Sequence, residues 1–246
     1  MYRKSLLTST VCGVSLLLAA TAAYSGDDDS DSDFDHNKKH RTPASEFEFV
    51  NIIVERNNTD GDTEIVVEAK PDSDDGLRRF VVRSPSNKKV VDVESARRVL
   101  GMREFAFESP EPAGEAILAS YPEGSYTFHG VSTEGERFSG VGVLSHQLPA
   151  PIVVGSPMED QELPHSVAHT LLWSQVSADT SEIFLEFECE TEDSAQVLTL
   201  NFTPDVMSFE IPASLLVPGA ECQVGIAAIA ESGNKIFTEV PFTTSE

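Results

Sequence analysis

Leu216-Val217-Pro218-Gly219-Ala220-Glu221-Cys222 runs into Gln223-Val224-Gly225-Ile226-Ala227-Ala228-Ile229, and this stretch decides the fold. Pro218-Gly219 is turn chemistry: proline presets φ and glycine accepts positive φ. Beyond it, Cys222, Val224, Ile226 and Ala228 take alternate positions, which lie on one face of a strand. A matching pattern lies upstream, where Ile183, Leu185, Phe187 and Cys189 alternate with Glu186, Glu188 and Glu190. Apolar on one side and acidic on the other is the mark of a half-buried strand.

Working outward, the same kind of run recurs on both sides. Residues 149–246 hold runs at Ile152 to Val154, His169 to Trp173, Ile183 to Glu190, Val197 to Phe202, Ser208 to Ile211, Cys222 to Ile229 and Ile236 to Phe242. Seven short strands in about 100 residues is the count of an immunoglobulin-like sandwich. Upstream, Phe47 to Phe49, Ile52 to Glu55, Glu64 to Lys70, Arg79 to Arg83, Val90 to Val93 and Glu104 to Glu108 are broken by Asn/Asp/Gly turns. A short helix is expected over Ala113 to Ser120. A hairpin follows, Tyr126 to Val131 and Phe138 to Leu144, joined through Thr133-Glu134-Gly135. Pro149-Ala150-Pro151 stiffens the chain between the two series. The expected fold is all-β: two tandem immunoglobulin-like β-sandwiches over 46–148 and 149–246.

The second series resembles a fibronectin type III module. Leu171-Leu172-Trp173 is similar to that family's second strand, with the single Trp of the chain in the core. The Leu216 to Cys222 segment is similar to its Leu-x-Pro-Gly-x-x-Tyr turn, Glu231-Ser232-Gly233-Asn234 to its Gly-Asn hairpin, and Phe242-Thr243-Thr244 to its closing strand. The resemblance covers about residues 149–246, so the second sandwich is expected to be fibronectin type III-like. Cys222 stands where the family usually has the tyrosine whose hydroxyl pins the corner. Tyr121-Pro122-Glu123-Gly124-Ser125-Tyr126, entering the earlier hairpin, is similar to immunoglobulin-like sandwich repeats. The whole chain resembles secreted bacterial proteins with one diverged sandwich ahead of a fibronectin type III module, which implies a fold and a compartment but no active site. The family arrangement sets the third and sixth strands as antiparallel neighbours. Together with the shared inward faces, this implies that Cys189 and Cys222 meet and form a disulfide. The alternative is two buried thiols packing as small apolar groups.

The N-terminus reads as an address. Arg3 and Lys4 precede an apolar stretch ending at Leu16-Leu17-Leu18-Ala19-Ala20, followed by small residues. That is a secretory signal over 1–25, with cleavage expected between Ala22 and Gly26. The apolar run is interrupted by Ser9, Thr10 and Ser15 and is too short to span a bilayer. The protein is therefore expected to be exported, periplasmic or extracellular, with no membrane span in the mature chain. Residues 26–45 form an acidic tether with six aspartates between Gly26 and Asn37, followed by Lys38, Lys39, His40 and Arg41. Such a run repels itself and buries no core.

The 246-residue chain carries 17 Lys+Arg against 41 Asp+Glu, a net charge of −24. Removal of the signal makes it two units more negative, since Arg3 and Lys4 leave and no acid precedes Asp27. Nucleic acid is excluded as a partner, because phosphates need clustered Lys and Arg. His36, His40, His129, His146, His165 and His169 sit in no nucleophile or zincin motif, and His129 reads as an exposed strand residue. His165 and His169 have an i, i+4 spacing, but Pro164 and the β context argue against the helix a zinc pair would need. The cation candidate is the turn bearing Asn58, Asp60, Asp62 and Glu64, whose oxygens suit calcium. The same residues are what a polar hairpin turn requires, and the turn is the preferred reading. No other cofactor is expected, and no catalytic residue is assigned. The favoured function is a non-catalytic binding or structural module that contacts an envelope or extracellular protein or polysaccharide. A calcium-dependent adhesion module is the alternative, and a hydrolase on a sandwich scaffold the third reading.

Overall fold

The computed structural model describes residues 43–97, 99–110, 114–192 and 194–246. The signal segment, nearly all of the acidic tether and the basic patch at 38–41 lie outside these residues. The strands, in chain order, are β1 (Ser45–Asn57), β2 (Thr63–Pro71), β3 (Leu77–Arg83), β4 (Lys89–Glu94), β5 (Phe105–Glu108), β6 (Gly124–Ser132) and β7 (Arg137–Leu144). They continue as β8 (Val154–Ser156), β9 (Gln161–Leu163), β10 (His169–Trp173), β11 (Thr180–Glu190), β12 (Ala195–Phe202), β13 (Ser208–Ile211), β14 (Glu221–Ala230) and β15 (Lys235–Thr244).

The fold is all-β, with two immunoglobulin-like sandwiches. In the first, β7–β6–β3–β4 faces β1–β2–β5 across a core that includes Ile52, Val54, Leu77, Phe80, Phe128 and Phe138. Long β1 serves both layers: Ser45 and Glu46 run parallel to β7, and the remainder pairs antiparallel with β2. The two apolar runs expected at its start are thus one strand, with a register shift between Phe47 and Phe49 marking the change of layer. Inward apolar residues each contribute about 1.5–3 kcal/mol by burial, which drives the layers together.

In place of the helix expected over Ala113 to Ser120, the described residues form a short 3-10 segment, Glu115–Ala119, and Ala113 lies outside them. Gly114 precedes it at φ 60° and no side chain caps its first N–H groups, so nothing helps a longer helix to start. Pro122 follows closely and blocks extension.

The second sandwich sets β8–β10–β13 against β12–β11–β14–β15, three strands over four, which is the fibronectin type III arrangement. Trp173, Leu185, Phe187, Val224, Ile226 and Phe242 are among its core residues. It has one more strand than expected. After Ser156 the chain crosses to the other layer, where β9 pairs in parallel with the end of β15.

The sandwiches share a sheet. Glu55, Arg56 and Asn57 of β1 pair in parallel with Lys235, Ile236 and Phe237 of β15. The layer β5–β2–β1 therefore continues into β15–β14–β11–β12. Asn234 closes this junction and is only 1% exposed. Its Oδ1 accepts from the Val54 N–H at 2.9 Å, and its Nδ2 donates to the carbonyls of Ser145 and Gln147 at 2.8 and 2.7 Å. Gly233 beside it has φ 85° and lies so close to Ile53 that a Cβ would come within 3.0 Å of its Cγ2. Glycine is required there both for the backbone and for the contact.

Candidate functional site

Three places bear on function: the acidic turn after β1, the cysteine corner, and the outer face and edge of the sheet that ends in β12.

Of the four turn candidates, Asp60 and Asp62 each turn a carboxylate oxygen to backbone N–H groups. The N–H of Thr59 donates to Asn57 Oδ1 at 2.8 Å, and the N–H of Asp62 to Asp60 Oδ1 at 2.9 Å. Asp62 Oδ1 accepts from the N–H of Thr63 at 2.9 Å and from that of Gly114 at 3.4 Å. The first two are Asx-type turns, in which a side chain replaces a backbone acceptor. Asn58 is exposed, and Glu64 sits one residue into β2, opposite Glu55. Among the described residues no group of three or more His, Cys, Asp or Glu is placed to hold a metal.

The histidine rings are also engaged with the backbone. His165 Nδ1 lies 3.1 Å from the Ser245 carbonyl oxygen, His169 Nε2 2.8 Å from that of Pro164, and His146 Nε2 2.8 Å from that of Tyr121. His129 is exposed on β6.

Cys189 at the end of β11 and Cys222 at the start of β14 are direct cross-strand partners, joined by a disulfide on the inner face. The corner beside them lacks its usual tyrosine, and another side chain takes over the task. The Thr244 hydroxyl accepts from the Ala220 N–H at 2.8 Å and donates to the Val217 carbonyl. Closing strand β15 thus holds the Pro218-Gly219 turn. A tyrosine corner does exist in the first sandwich. Tyr126, fully buried, donates to the Pro122 carbonyl at 3.0 Å, and burial together with nearby Tyr121 pushes its phenol up to about 12. Its signal was present in the sequence as a Pro-x-Gly-x-Tyr spacing.

The outer face of β11–β14–β15 is acidic. In register across it lie Glu186, Gly225 and Glu239, then Glu188, Gln223 and Pro241, then Glu190, Glu221 and Thr243. Burial raises the pKa of Glu186 above the usual carboxylate value, with further raising from the charges of Glu188, Glu239 and Glu55. From 149 to 246 the chain has a single Lys or Arg, Lys235, which pairs with Glu55 at 3.2 Å. Phe184 and Phe237 close one end of the face with their rings edge to face.

This face ends at β12, which among the described residues is an edge strand paired only with β11. Ala195, Val197, Thr199 and Asn201 point outward and are exposed, Val197 at 60%. Leu198 and Phe202 point inward and pack on the core. All eight residues are in uninterrupted register with β11, and none is charged, Pro or Gly. The strand itself was legible in the sequence, whereas its edge position was not. The available signal was the absence of charge from 195 to 202 in so acidic a chain.

Three strands packed on four, with β9 added to the closing strand, define the second sandwich as fibronectin type III-like. Solved structures similar to the chain include fibronectin type III and immunoglobulin domains. The FN1–FN3 domains of chicken CNTN1 match at 13% identity and TM-score 0.35, covering 83% of this chain and 65% of theirs, just under two thirds. The fibronectin(III)-like modules of Clostridium thermocellum CbhA match at 11% identity and TM-score 0.32, covering 80% of this chain and 94% of theirs. A two-domain fibronectin type III segment from chicken tenascin matches at 14% identity and TM-score 0.29, covering 78% and 97%. No family model and no curated protein matches the chain. Among the described residues no helix is long and apolar enough to cross a membrane.

Proposed function

We propose that this is an exported, non-catalytic binding or structural module of two sandwiches, 46–148 and 149–246, that meets an envelope or extracellular partner through its sheet edges and loops. The observation that carries the reading is the shared sheet: it ties both sandwiches into one frame and ends in edge strands, β12 on one side and β5 on the other. Open edges are where an extended partner strand is added. A protein partner is favoured over a polysaccharide. Every described aromatic side chain is buried or half-buried, so the sugar-stacking surface that a polysaccharide reader needs is poorly presented.

Two measurements test this. The intact mass of the exported protein is expected to start between Ala22 and Gly26, and a chain still carrying Met1 would make the segment an anchor. The mature chain, immobilised, is expected to retain an envelope protein rather than turn over any member of a broad hydrolase substrate panel.

A further inference from the structure

Edge strands are a liability, and most edges in this protein are guarded. Strand β4 carries Lys89, Asp92 and Glu94 and has a register shift against β3. Strand β5 is four residues long and ends in Glu108. Strand β13 has four residues, includes Glu210 and stops at Pro212, and β8 has only three. Short length, charge, proline and bulges are the ordinary means of preventing strand addition. Strand β12 has none of them. It is eight residues long, uncharged and regular. Its free side offers main-chain groups to pair with, in a chain whose net charge is −24.

We propose that β12 is a docking edge that accepts an extended protein segment with apolar side chains at alternate positions and Lys or Arg between them. This rests on the binding-module reading above and names its surface and partner. Inward positions of the added strand would extend the row of Leu198, Leu200 and Phe202. Outward positions would lie beside Val197, Thr199 and Asn201, one strand removed from Glu186, Glu188 and Glu190. At about 4.8 Å per strand that is about 10 Å between backbones, a gap that a lysine or arginine and a glutamate span together. The partner's sign follows from its surroundings. Cationic side chains would relieve the repulsion from Glu188, Glu239 and Glu55 that adds to burial in raising the Glu186 pKa, and the Glu190–Glu192 turn at one end and Asp205 beyond the other are acidic too. The same charge opposes pairing with a second copy, since two such acidic faces would be brought together.

The test uses the mature protein and an eight-residue peptide alternating lysine and valine. Backbone hydrogen exchange is expected to slow at 195–202 on binding, with affinity falling as salt rises. A peptide of the same sequence N-methylated on every backbone amide keeps the charges and side chains but has no N–H to donate to a strand on either edge. It is expected to bind about tenfold or more weakly. A glutamate–valine peptide is expected not to bind. Glu186→Gln with Glu188→Gln is expected to weaken the lysine–valine peptide and flatten its salt dependence. Equal binding by the N-methylated peptide, equal binding by the glutamate–valine peptide, unchanged affinity in the double variant, or no protection at 195–202 would each overturn the proposal. So would a dimer with β12 already protected in the absence of peptide. If the mature chain retains an envelope protein that protects residues elsewhere, the edge assignment falls and the broader reading stands.

Discussion

Replacing Asn234 with alanine removes three hydrogen bonds at once from the point where the sandwiches share a sheet. Each is worth about 1 kcal/mol net, and the loss also leaves the Val54 N–H and the carbonyls of Ser145 and Gln147 short of a partner. The expected cost is about 2–5 kcal/mol, toward the upper end if the vacated site is too tight for water. In a chain of this size that corresponds to a fall of about 5–15 °C in Tm. The assay is urea and thermal unfolding of the mature protein, followed by near-UV signals from Trp173 in the second core and Tyr126 in the first. Because the amide ties β1 and the 145–147 segment to the β14–β15 turn, N234A is expected to separate the two signals where the parent shows them close together. Asn234→Asp sharpens the test. A carboxylate facing two carbonyl oxygens has its folded pKa raised, so its stability contribution is present below the unfolded pKa and lost as pH rises. N234D is therefore expected to do more harm at neutral pH than at acid pH. A cost under about 0.5 kcal/mol for N234A would refute the reasoning, because it would mean that the junction does not depend on these bonds.

Other outcomes follow from single contacts. Thr244→Val removes the hydroxyl that holds Val217 and Ala220, and Tyr126→Phe removes the bond to Pro122; each is expected to cost about 1–2 kcal/mol by denaturant titration. The native exported protein, denatured without reductant, is expected to show no free thiol, and reduction of Cys189–Cys222 is expected to cost roughly 3–4 kcal/mol for a loop closed over a separation of 33 residues. Glu186→Gln is expected to raise Tm at neutral pH and to lose that advantage as pH falls. The parent's Glu186 has a raised folded pKa, so its ionised form is penalised only above the unfolded value.

What the sequence by itself determined is local. Alternation at Ile183 to Glu190 and at Cys222 to Ala228 establishes strand, face and burial, because side chains on a strand alternate by geometry alone. Pro218-Gly219 and Asn57 to Asp62 specify turns, because only certain residues accept those backbone angles. The tertiary structure decided what depends on neighbours distant in the chain. That Thr244 holds the corner, that Asn234 bonds to residues about 90 and 180 positions away, and that β1 passes from one sandwich into the sheet of the other are matters of spatial meeting. The run from Ala195 to Phe202 states both lessons: its pattern marks a strand, but whether a strand is flanked on two sides or one is settled by which others pack beside it. Main-chain hydrogen bonds carry no residue code, so an open edge leaves only an indirect trace in the sequence.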